Sequence, residues 1–390
     1  MPHWQNWSGR LASKPDQLSF IYSEQQAAAL AHACSANGSS LRAVGAGHSH
    51  KELVVDGDVI ADLQALSGVI SADTENATAW VGGGSKIYTL GPALQRHGLA
   101  LPNQGDIDQQ SISGATATGT HGTGASLQNL SSRVIGARIA LANGDIVECS
   151  AERNSELWLA SRLHLGAFGL ITALQLQCVP AYRLAERSWN LPLQELLTEL
   201  DGLIADNRHC EFFWYPQTDT ANLKVINTTS DEPKYPLGSE GERCSWNYEV
   251  LPNHRPHLHT EMEYSVAAAQ GPACMQAIQS LLNNTFTDVR WPVEYRTLAA
   301  DNVWLSTAFE RDTVTISVHQ DVNLPDDDYY RACEEIFLAF DGRPHWGKAN
   351  FLDGTQLAAQ HAKWHDWWRV RDSVDPRGTF LNPYLQSIRP

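Results

Sequence analysis

Glu294 and Arg296 stand two positions apart in Val293–Thr297, a run that predicts a β-strand. Alternate residues of a strand point to the same side, so a carboxylate and a guanidinium would share one face. A carboxylate can take up or release a proton, and a guanidinium can stabilise a developing oxyanion. The pair suits that chemistry, although a Glu-x-Arg pair taken alone is more often a surface ion pair.

Two more side chains are candidates for the same pocket. His319 ends the predicted strand Thr313–His319, and we expect it to face the pocket; a hydrogen-bonded core histidine is the alternative. Lys348 ends the run His345–Lys348 (His-Trp-Gly-Lys), and the family resemblance given below implies that it would supply a second cation.

A glycine-rich segment near the N-terminus has a different use. Val44–Ser49 (Val-Gly-Ala-Gly-His-Ser) comes directly after the predicted strand Leu41–Val44. Glycines let a backbone approach a pyrophosphate closely, and exposed N–H groups bind its oxygens. The segment is not the dinucleotide-binding fingerprint, because no third glycine and no helix pattern follow. Taken alone, it could be a simple turn after a strand.

The segment Gln104–Gly124 carries a stronger signal. It contains five glycines, no Lys and no Arg, and most of its other residues are small. A chain that wraps closely around a large flat ligand needs small side chains and free N–H donors. A solvated linker is the alternative, but the Ala, Thr and Ile content fits it poorly. Two further glycine-containing segments complete the set, Leu165–Thr172 and Asp375–Leu385.

The elements that must position these groups fall into two parts. Up to residue 183, short predicted strands alternate with glycine-rich turns and with the helices Ser23–Ala36 and Ile87–His97. From residue 184 onward, several strands and two helices indicate a sheet covered on one face, and the composition of Asp231–His259 predicts a long loop or a surface insertion. The strands of this second part are Glu211–Tyr215, Ala221–Asn227, Thr260–Val266, Val293–Thr297 and Thr313–His319, and its helices are Ala273–Leu282 and Tyr329–Phe340. The mixture predicts an α+β protein.

The composition narrows the class of protein. The 390 residues are 43% hydrophobic and 18% charged, as in globular proteins, and no apolar run approaches the ~20 residues that span a bilayer. A net charge of −16 disfavours nucleic acid and anionic membranes as partners. The chain lacks a basic start followed by an apolar stretch, and its seven scattered cysteines form no CxxC pair, so we expect a cytoplasmic protein with reduced thiols.

The histidines give little support for a metal site. His361 and His365 have the i,i+4 spacing of helical metal ligands, but no Glu completes an HExxH motif. His254, His257 and His259 lie in the predicted loop, where we expect surface positions. We therefore predict no metal, and a metal-dependent hydrolase is a less favoured function.

Together, these segments resemble the vanillyl-alcohol oxidase type of FAD-linked oxidoreductases. Within that group, the chain is similar to the aldonolactone oxidases and alditol oxidases, which act on gulonolactone, galactonolactone or arabinonolactone, or on xylitol or sorbitol. The resemblance runs over nearly the whole chain. Its most specific matches are Gly47–Ser49, Thr118–Gly124, Glu294–Thr297, Trp304–Ser306 followed by Arg311 and Asp312, and His345–Lys348.

The resemblance implies a two-domain FAD-binding fold with a sheet-and-helix cap domain over the substrate. The FAD-binding domain would be residues 1–183, completed by residues 371–390, and the cap domain would be residues 184–370. FAD would lie extended, with its pyrophosphate against Gly45–Ser49 and Thr118–Gly122 and its adenine near Gly169–Ile171. The implied cofactor-binding residues are Val44, Gly45, Ala46, Gly47, His48, Ser49, Gly105, Ser111, Ser113, Gly114, Thr118, Gly119, His121, Gly122, Gly169, Ile171 and Asn382.

In many relatives, the histidine that matches His48 is bonded to the 8α carbon of the flavin. An electrophilic carbon needs a neutral imidazole as its nucleophile, and the bond retains the cofactor. The resemblance therefore implies FAD attached covalently to His48, with a noncovalent histidine beside the flavin as the alternative. No cysteine lies between Cys34 and Cys149, so we expect a single link.

The implied reaction is oxidation of a carbinol in a sugar 1,4-lactone by hydride transfer to flavin N5, with O2 or another acceptor taking the electrons. The implied catalytic residues are Glu294, Arg296, Lys348 and His319. Arg296 and Lys348 would stabilise the alkoxide and the reduced flavin, and Glu294 would orient substrate hydroxyls. The proton acceptor stays open, as does the choice between Ser111 and Ser113 as a substrate contact. An alditol is the alternative substrate, and a carbohydrate-binding protein without redox function is the alternative of another class.

Overall fold

A computed structural model describes residues 2–390 of the chain. Within that range the β-strands are β1 (Trp4–Gln5), β2 (Ala12–Ser13), β3 (Gln17–Phe20), β4 (Leu41–Val44), β5 (Val59–Asp62), β6 (Val69–Asp73), β7 (Thr78–Gly82), β8 (Leu99–Ala100), β9 (Val134–Ala140), β10 (Ile146–Ser150), β11 (Leu170–Gln177), β12 (Val179–Pro180), β13 (Arg183–Pro192), β14 (His209–Tyr215), β15 (Thr220–Thr229), β16 (Cys244–Trp246), β17 (His259–Ala267), β18 (Val293–Leu298), β19 (Thr313–Asp321) and β20 (Arg343–Pro344). The α-helices are α1 (Glu24–Asn37), α2 (Ile87–Gln95), α3 (Ile112–Ala117), α4 (Ser155–Ser161), α5 (Leu193–Asp206), α6 (Asn247–Val250), α7 (Gly271–Asn284), α8 (Asp327–Ala339), α9 (Gly354–Gln360), α10 (Trp364–Val374) and α11 (Pro383–Ser387), and short 3-10 helices span Leu130–Arg133 and Ala268–Gln270.

Two sheets build the first part of the molecule. Strands β3, β5 and β4 form a parallel sheet in that order, and β10, β9, β11, β7 and β6 form an antiparallel one. Helix α1 lies between the two sheets, because Ala27 and Ala31 share a buried cluster with Val59 of β5 and Leu170 of β11. The helix begins after Ser23, whose side chain accepts a hydrogen bond from the N–H of Gln26, as expected of an N-cap.

An eight-stranded antiparallel sheet dominates the second part. Its strand order is β16-β13-β15-β14-β18-β19-β17-β20. Apolar residues of α5, α7 and α8 pack against one face of this sheet and form a core with it. The sheet covered on one face, which the sequence predicts, is therefore present.

Alternation along the central strands decides which side chains face the helices. In β17, Met262 and Tyr264 belong to the helix-covered core, whereas Glu261 and Glu263 point to the opposite face and are also buried. Strands β18 and β19 follow the same pattern. The first part of the molecule docks on this polar face, as the hydrogen bond from the N–H of Gly124 to the carbonyl of Thr297 (2.9 Å) shows. The two parts therefore enclose a polar space between them.

Most predicted elements are confirmed with ends shifted by a few residues. The predicted helix Ile87–His97 ends two residues earlier, at Gln95. The prediction of a plain loop over Asp231–His259 is wrong in part, because β16 pairs with β13 there and α6 follows it. The sequence patterns also missed β13, α5 and the short helix α3 inside the glycine-rich segment.

Two hydrophobic cores outline the two parts. One core joins Val81, Ile139 and Leu174 of the five-stranded sheet to Trp346 and Trp367 from the C-terminal segment. The other belongs to the eight-stranded sheet and its helices. The C-terminal residues that pack on the first core thus begin before the predicted start at residue 371. The domain division itself, at residues 183/184 and 370/371, stays a prediction.

Arg42 ties the end of the chain to the first part. Its buried guanidinium donates hydrogen bonds to the carbonyl oxygens of Leu165 (2.6 Å) and Gly166 (2.9 Å), and also to that of Phe380. Asn382 adds hydrogen bonds from its side-chain amide to Glu52 O (2.6 Å) and to Val55 O (2.9 Å). The last residues are therefore a structural component of the first part.

Two further facts concern the whole described chain. All seven cysteines are buried and unpaired. Within residues 2–390, no helix has both the length and the apolar character that crossing a bilayer requires.

Candidate active site

A cavity of about 1410 Å³ lies between the first part and the polar face of the eight-stranded sheet. Ligand pockets are typically about 300–1,000 Å³, so this one has room for a large cofactor together with a small substrate. All four predicted catalytic residues line it: Glu294, Arg296, His319 and Lys348.

Strand β18 places Glu294 and Arg296 side by side on the cavity wall, where they form an ion pair. Nε of Arg296 also lies 3.4 Å from Oε2 of Glu211, its register partner on β14. Burial raises the pKa of Glu294 to about 8 although Arg296 lowers it, and the carboxylate of Glu211 adds to the rise. Glu294 is therefore a carboxyl group that can exchange a proton near neutral pH.

Lys348 forms an ion pair with Glu261, a buried carboxylate of β17. The loop that carries Lys348 is held along this strand by hydrogen bonds from Ala349 N–H to Glu261 O (2.9 Å) and from His345 N–H to Glu263 O (3.0 Å). Burial alone would raise the pKa of Glu261, but the ammonium of Lys348 and the nearby imidazoles hold it well below its usual value. Glu261 is therefore ionised, and it fixes the position of the Lys348 ammonium.

Two imidazoles face the same carboxylate. Nδ1 of His319 lies 2.8 Å from the carbonyl oxygen of Pro292, and Nδ1 of His259 lies 2.9 Å from that of His257. A carbonyl only accepts hydrogen bonds, so in both rings Nδ1 carries the hydrogen and, in the neutral form, Nε2 keeps its lone pair. Each Nε2 lies 3.8 Å from an oxygen of Glu261. Burial lowers the pKa of His319 to about 4, so its Nε2 is a hydrogen-bond acceptor at pH 7.

A buried contact between His121 and Glu263 links the glycine-rich segment Gln104–Gly124 to the eight-stranded sheet. Nε2 of His121 lies 2.8 Å from Oε1 of Glu263, and Nδ1 of the same ring lies 2.8 Å from the carbonyl oxygen of Gly122. The hydroxyl of Ser317 donates to the other oxygen of Glu263 at 3.0 Å. His121 is one of the predicted cofactor residues, and it lines the cavity.

The loop after β4 presents unused donors to the cavity. None of the hydrogen bonds formed among residues 2–390 uses the N–H groups of Ala46, Gly47, His48 or Ser49. The ring nitrogens of His48 are likewise without a protein partner in this range, and its ring centre lies 5.4 Å from that of Trp7. Burial, followed by nearby positive side chains, lowers the pKa of His48 to about 4, so its imidazole is neutral at pH 7.

These features fit a bound FAD. A row of free N–H groups is the usual partner of pyrophosphate oxygens. The glycines nearby leave no room for larger residues: a Cβ on Gly45 would lie 2.2 Å from Oγ of Ser111, and one on Gly122 would lie 2.2 Å from the carbonyl oxygen of Gln104. Glycine at these two positions therefore allows neighbouring protein segments to pack closely beside the cavity.

The predicted cofactor residues fall into three groups. Those that line the cavity are Ala46, His48, Ser49, Gly105, Thr118 and His121. Those in the adjoining loops and helix, but not on the wall, are Val44, Gly45, Gly47, Ser111, Ser113, Gly114, Gly119 and Gly122. Those away from the wall are Gly169, Ile171 and Asn382.

The third group has other structural roles. Gly169 backs onto β9, where an added Cβ would lie 2.5 Å from the carbonyl oxygen of Ala140, and Ile171 is the register partner of Ile139. The side-chain amide of Asn382 donates hydrogen bonds to the carbonyl oxygens of Glu52 and Val55. These hydrogen bonds fasten the C-terminal segment, and the assignment of Asn382 to the cofactor stays a prediction.

A charged network continues from the catalytic wall toward the outer end of the cavity. Nζ of Lys224 lies 2.7 Å from Glu211 and 3.0 Å from Glu240, and Nε of Arg255 lies 2.7 Å from Asp106. Burial would raise the pKa of Asp106, but Arg255, Lys224 and Arg296 together lower it below its usual value. Asp106 is therefore ionised in the folded protein.

Sequence reasoning missed Glu261, Glu263 and His259. The expectation of a surface position for His259 is wrong, since it lines the cavity, with its ring centre 5.2 Å from that of Trp7. His254 and His257 also lie at the edge of this cavity, but they are exposed as expected. The signal for the missed residues is the order His-Thr-Glu-Met-Glu-Tyr at the start of β17, which puts three polar residues on one face of a strand.

Comparison with known proteins agrees with the fold and the cavity. The family model described as D-arabinono-1,4-lactone oxidase matches residues 174–254 and 238–388, and the one described as FAD binding domain matches residues 15–150. The chain is 33% identical to L-gulono-1,4-lactone dehydrogenase of Mycobacterium tuberculosis over 99% of both chains, and 28% identical to an alditol oxidase of a Streptomyces species over 98% of both. Cholesterol oxidase from B. sterolicum shares the fold at 18% identity, with a TM-score of 0.85 over 100% of this chain and 96% of that one.

The family models and the relative at 33% identity show an FAD-dependent oxidoreductase, and its fold is of the vanillyl-alcohol oxidase type. Within that class, the chain belongs to the D-arabinono-1,4-lactone oxidase family. The predicted fold class, enzyme class and FAD cofactor are thereby confirmed.

Proposed function

We propose that this enzyme oxidises a carbinol of a sugar 1,4-lactone and passes the hydride to FAD. The observation that carries the proposal is the cavity wall, where Arg296, Lys348 and Glu294 meet in the same space as the His48 loop. The family description and the relative named for gulonolactone support a lactone as the substrate. The relative named for alditols makes an open polyol the competing substrate class.

The residues that line the cavity have different roles in this reaction. When bound, FAD supplies the hydride acceptor, flavin N5. Arg296 and Lys348 stabilise the oxyanion that develops as the hydroxyl proton leaves. Glu294 orients this hydroxyl and takes its proton, because a base with a pKa of about 8 is matched to work near neutral pH. Nε2 of His319 accepts a hydrogen bond from a second substrate hydroxyl.

We also propose that FAD is bonded to His48. Two observations support the bond: the imidazole lines the cavity, and neither ring nitrogen has a protein partner within residues 2–390. The bond would join a ring nitrogen to the 8α carbon of the flavin. Formation of this bond would release one proton from that carbon and one from the imidazole of His48 to solvent, and an acceptor such as O2 would take the two electrons.

The test of the function is anaerobic bleaching of the oxidised flavin. The purified yellow protein is mixed without oxygen with L-gulono-, L-galactono- or D-arabinono-1,4-lactone and, separately, with xylitol or sorbitol. We expect the lactones to bleach the flavin faster than the alditols. Faster bleaching by an alditol would replace the lactone with the competing substrate class, and no bleaching by either class would overturn the proposal. Admitting O2 afterwards shows whether O2 or another acceptor reoxidises the flavin.

We further propose that the enzyme works in the cytoplasm. The support is chemical: seven buried cysteines remain unpaired, as is usual in a reducing compartment.

A further inference from the structure

Histidines that are far apart in the sequence meet in the folded chain. His50, from the first part, and His259 and Glu261, from β17, each place one ligand atom within 4.8 Å of the others. All three line the cavity. Two imidazoles and a carboxylate are a donor set that divalent transition metals, and Zn²⁺ in particular, bind well. A metal site of this kind does not require an HExxH motif, because its ligands come from separate segments of the chain.

Each of the two imidazoles has a ring nitrogen without a hydrogen-bond partner in the described chain. Nδ1–H of His259 donates to the carbonyl of His257 at 2.9 Å, which leaves the Nε2 lone pair on the side of Glu261. A histidine that binds a metal through one nitrogen usually donates the other N–H to a group of this kind. Nδ1 of His50 is buried and has no hydrogen-bond partner among residues 2–390.

We propose that His50, His259 and Glu261 bind a divalent transition-metal ion, for which Zn²⁺ is the reference, and that the bound ion inhibits the enzyme. Zn²⁺ holds its ligands at about 2.0–2.2 Å, so the three side chains must draw closer than they are now. The oxygen of Glu261 that lies nearest Nε2 of His259 is the one paired with the ammonium of Lys348, so an ion bound there competes with that ammonium. The ion therefore removes the partner that positions Lys348 and fills space that the substrate needs. The binding stands on the geometry of the cluster, whereas the inhibition rests on the proposed function.

The competition between the ion and Lys348 gives the proposal a distinctive signature. Two cations share one carboxylate, so each weakens the binding of the other. Replacing Lys348 with Met removes the competing charge. This variant should bind Zn²⁺ more tightly than the wild type, although it loses a residue that we place in the catalytic machinery. If the ion bound elsewhere on this acidic protein, its affinity would not change when Lys348 is replaced.

The test is a calorimetric titration of the flavin-loaded enzyme with ZnCl2, after removal of metals with EDTA and desalting. We expect one Zn²⁺ per chain. His50→Gln and His259→Gln should each weaken binding by at least about tenfold, and Lys348→Met should strengthen it. His97→Gln is the matched control, because His97 is an exposed histidine between α2 and β8. In steady-state assays, Zn²⁺ should raise the apparent KM for the lactone, and EDTA should reverse the effect.

Absence of Zn²⁺ binding would overturn the proposal. So would equal affinities for wild type, His50→Gln and His259→Gln, or an affinity in Lys348→Met that does not increase. Circular dichroism of each variant identifies one that has failed to fold, and either histidine variant alone is sufficient for the test. Failure of the proposed function is distinguishable, because it is seen as a flavin that lactones do not bleach, whereas the titration uses no substrate.

Discussion

The imidazole of His121 and the carboxylate of Glu263 form a buried pair at 2.8 Å, although the two residues come from different parts of the molecule. Both side chains are almost entirely hidden from solvent. The pair fastens the glycine-rich segment to the cap sheet across the cavity. Since neither group can turn to water, removing one partner leaves the other buried without compensation.

Glu263→Ala should lower the free energy of unfolding by about 3–5 kcal/mol, the usual effect of breaking a buried pair. Glu263→Gln keeps an acceptor for His121 and should lose clearly less. Urea unfolding followed by tryptophan fluorescence measures both. Glu335→Ala, at an exposed position of α8, is the control and should change little. Equal losses in the Ala and Gln variants would show that the pair contributes only packing.

His48→Ala should release the flavin. In the wild type, we expect the yellow colour to stay with the polypeptide after acid precipitation, because the bond survives denaturation. In His48→Ala, the colour should pass into the supernatant. His50→Gln changes a histidine two residues away and should retain the colour. Release from the wild type would leave FAD as the cofactor but remove the bond.

Arg296→Ala should lower kcat/KM for the lactone by about 10²–10³-fold, which is typical for loss of one oxyanion-stabilising donor. Arg296→Lys keeps the charge but not the forked guanidinium, so it should recover part of the loss. Arg187→Ala, at an exposed position on β13 of the same sheet, should be near wild type. Near-normal turnover of Arg296→Ala would exclude the assigned role.

The pH profile of kcat/KM should report Glu294. Burial raises the pKa of this carboxyl to about 8, and only the ionised form can take a proton. Activity should therefore rise with pH, with an apparent pKa near 8, and level off above it. Glu294→Gln should be slow and lose this limb of the profile. An unchanged limb in that variant would assign the proton transfer to another group.

Acid should destabilise the outer end of the cavity through Asp106. Its pKa is lower in the folded chain, since Arg255, Lys224 and Arg296 outweigh burial. The stabilisation is therefore complete above the unfolded-state pKa of about 3.9 and is lost as the pH falls toward the folded-state value. Asp106→Asn should show a smaller decrease in urea stability between about pH 5 and pH 3 than the wild type. Parallel curves would contradict this role.

Sequence patterns predict the parts of this protein in which neighbouring residues decide the structure. The Ser23 cap, the alternation around Glu294 and Arg296, and the glycines of Val44–Ser49 all act within a few residues. These local rules placed the main elements of both parts, whereas the family resemblance brought the catalytic candidates together at one site.

What the sequence could not show depends on contacts between distant segments. Glu261 and Lys348 are paired only because the loop after β20 lies along β17. His50 and His259 approach each other only when the first part docks on the sheet. Asn382 was assigned to the cofactor by resemblance, whereas its partners, Glu52 and Val55, are set by the return of the C-terminus to the first part. The spacing of residues within one segment does not predict contacts between distant segments.

During synthesis, Arg42 is added early and Phe380 near the end. In the folded chain, the guanidinium of Arg42 donates a hydrogen bond to the carbonyl oxygen of Phe380. At about 5–20 residues per second, the roughly 200 residues after the first part take about 10–40 s to synthesise. During that time, the cap sheet can pair its strands while the flavin loop beside β4 still lacks the C-terminal segment that packs beneath it. Cofactor loading in the cell should therefore follow chain release.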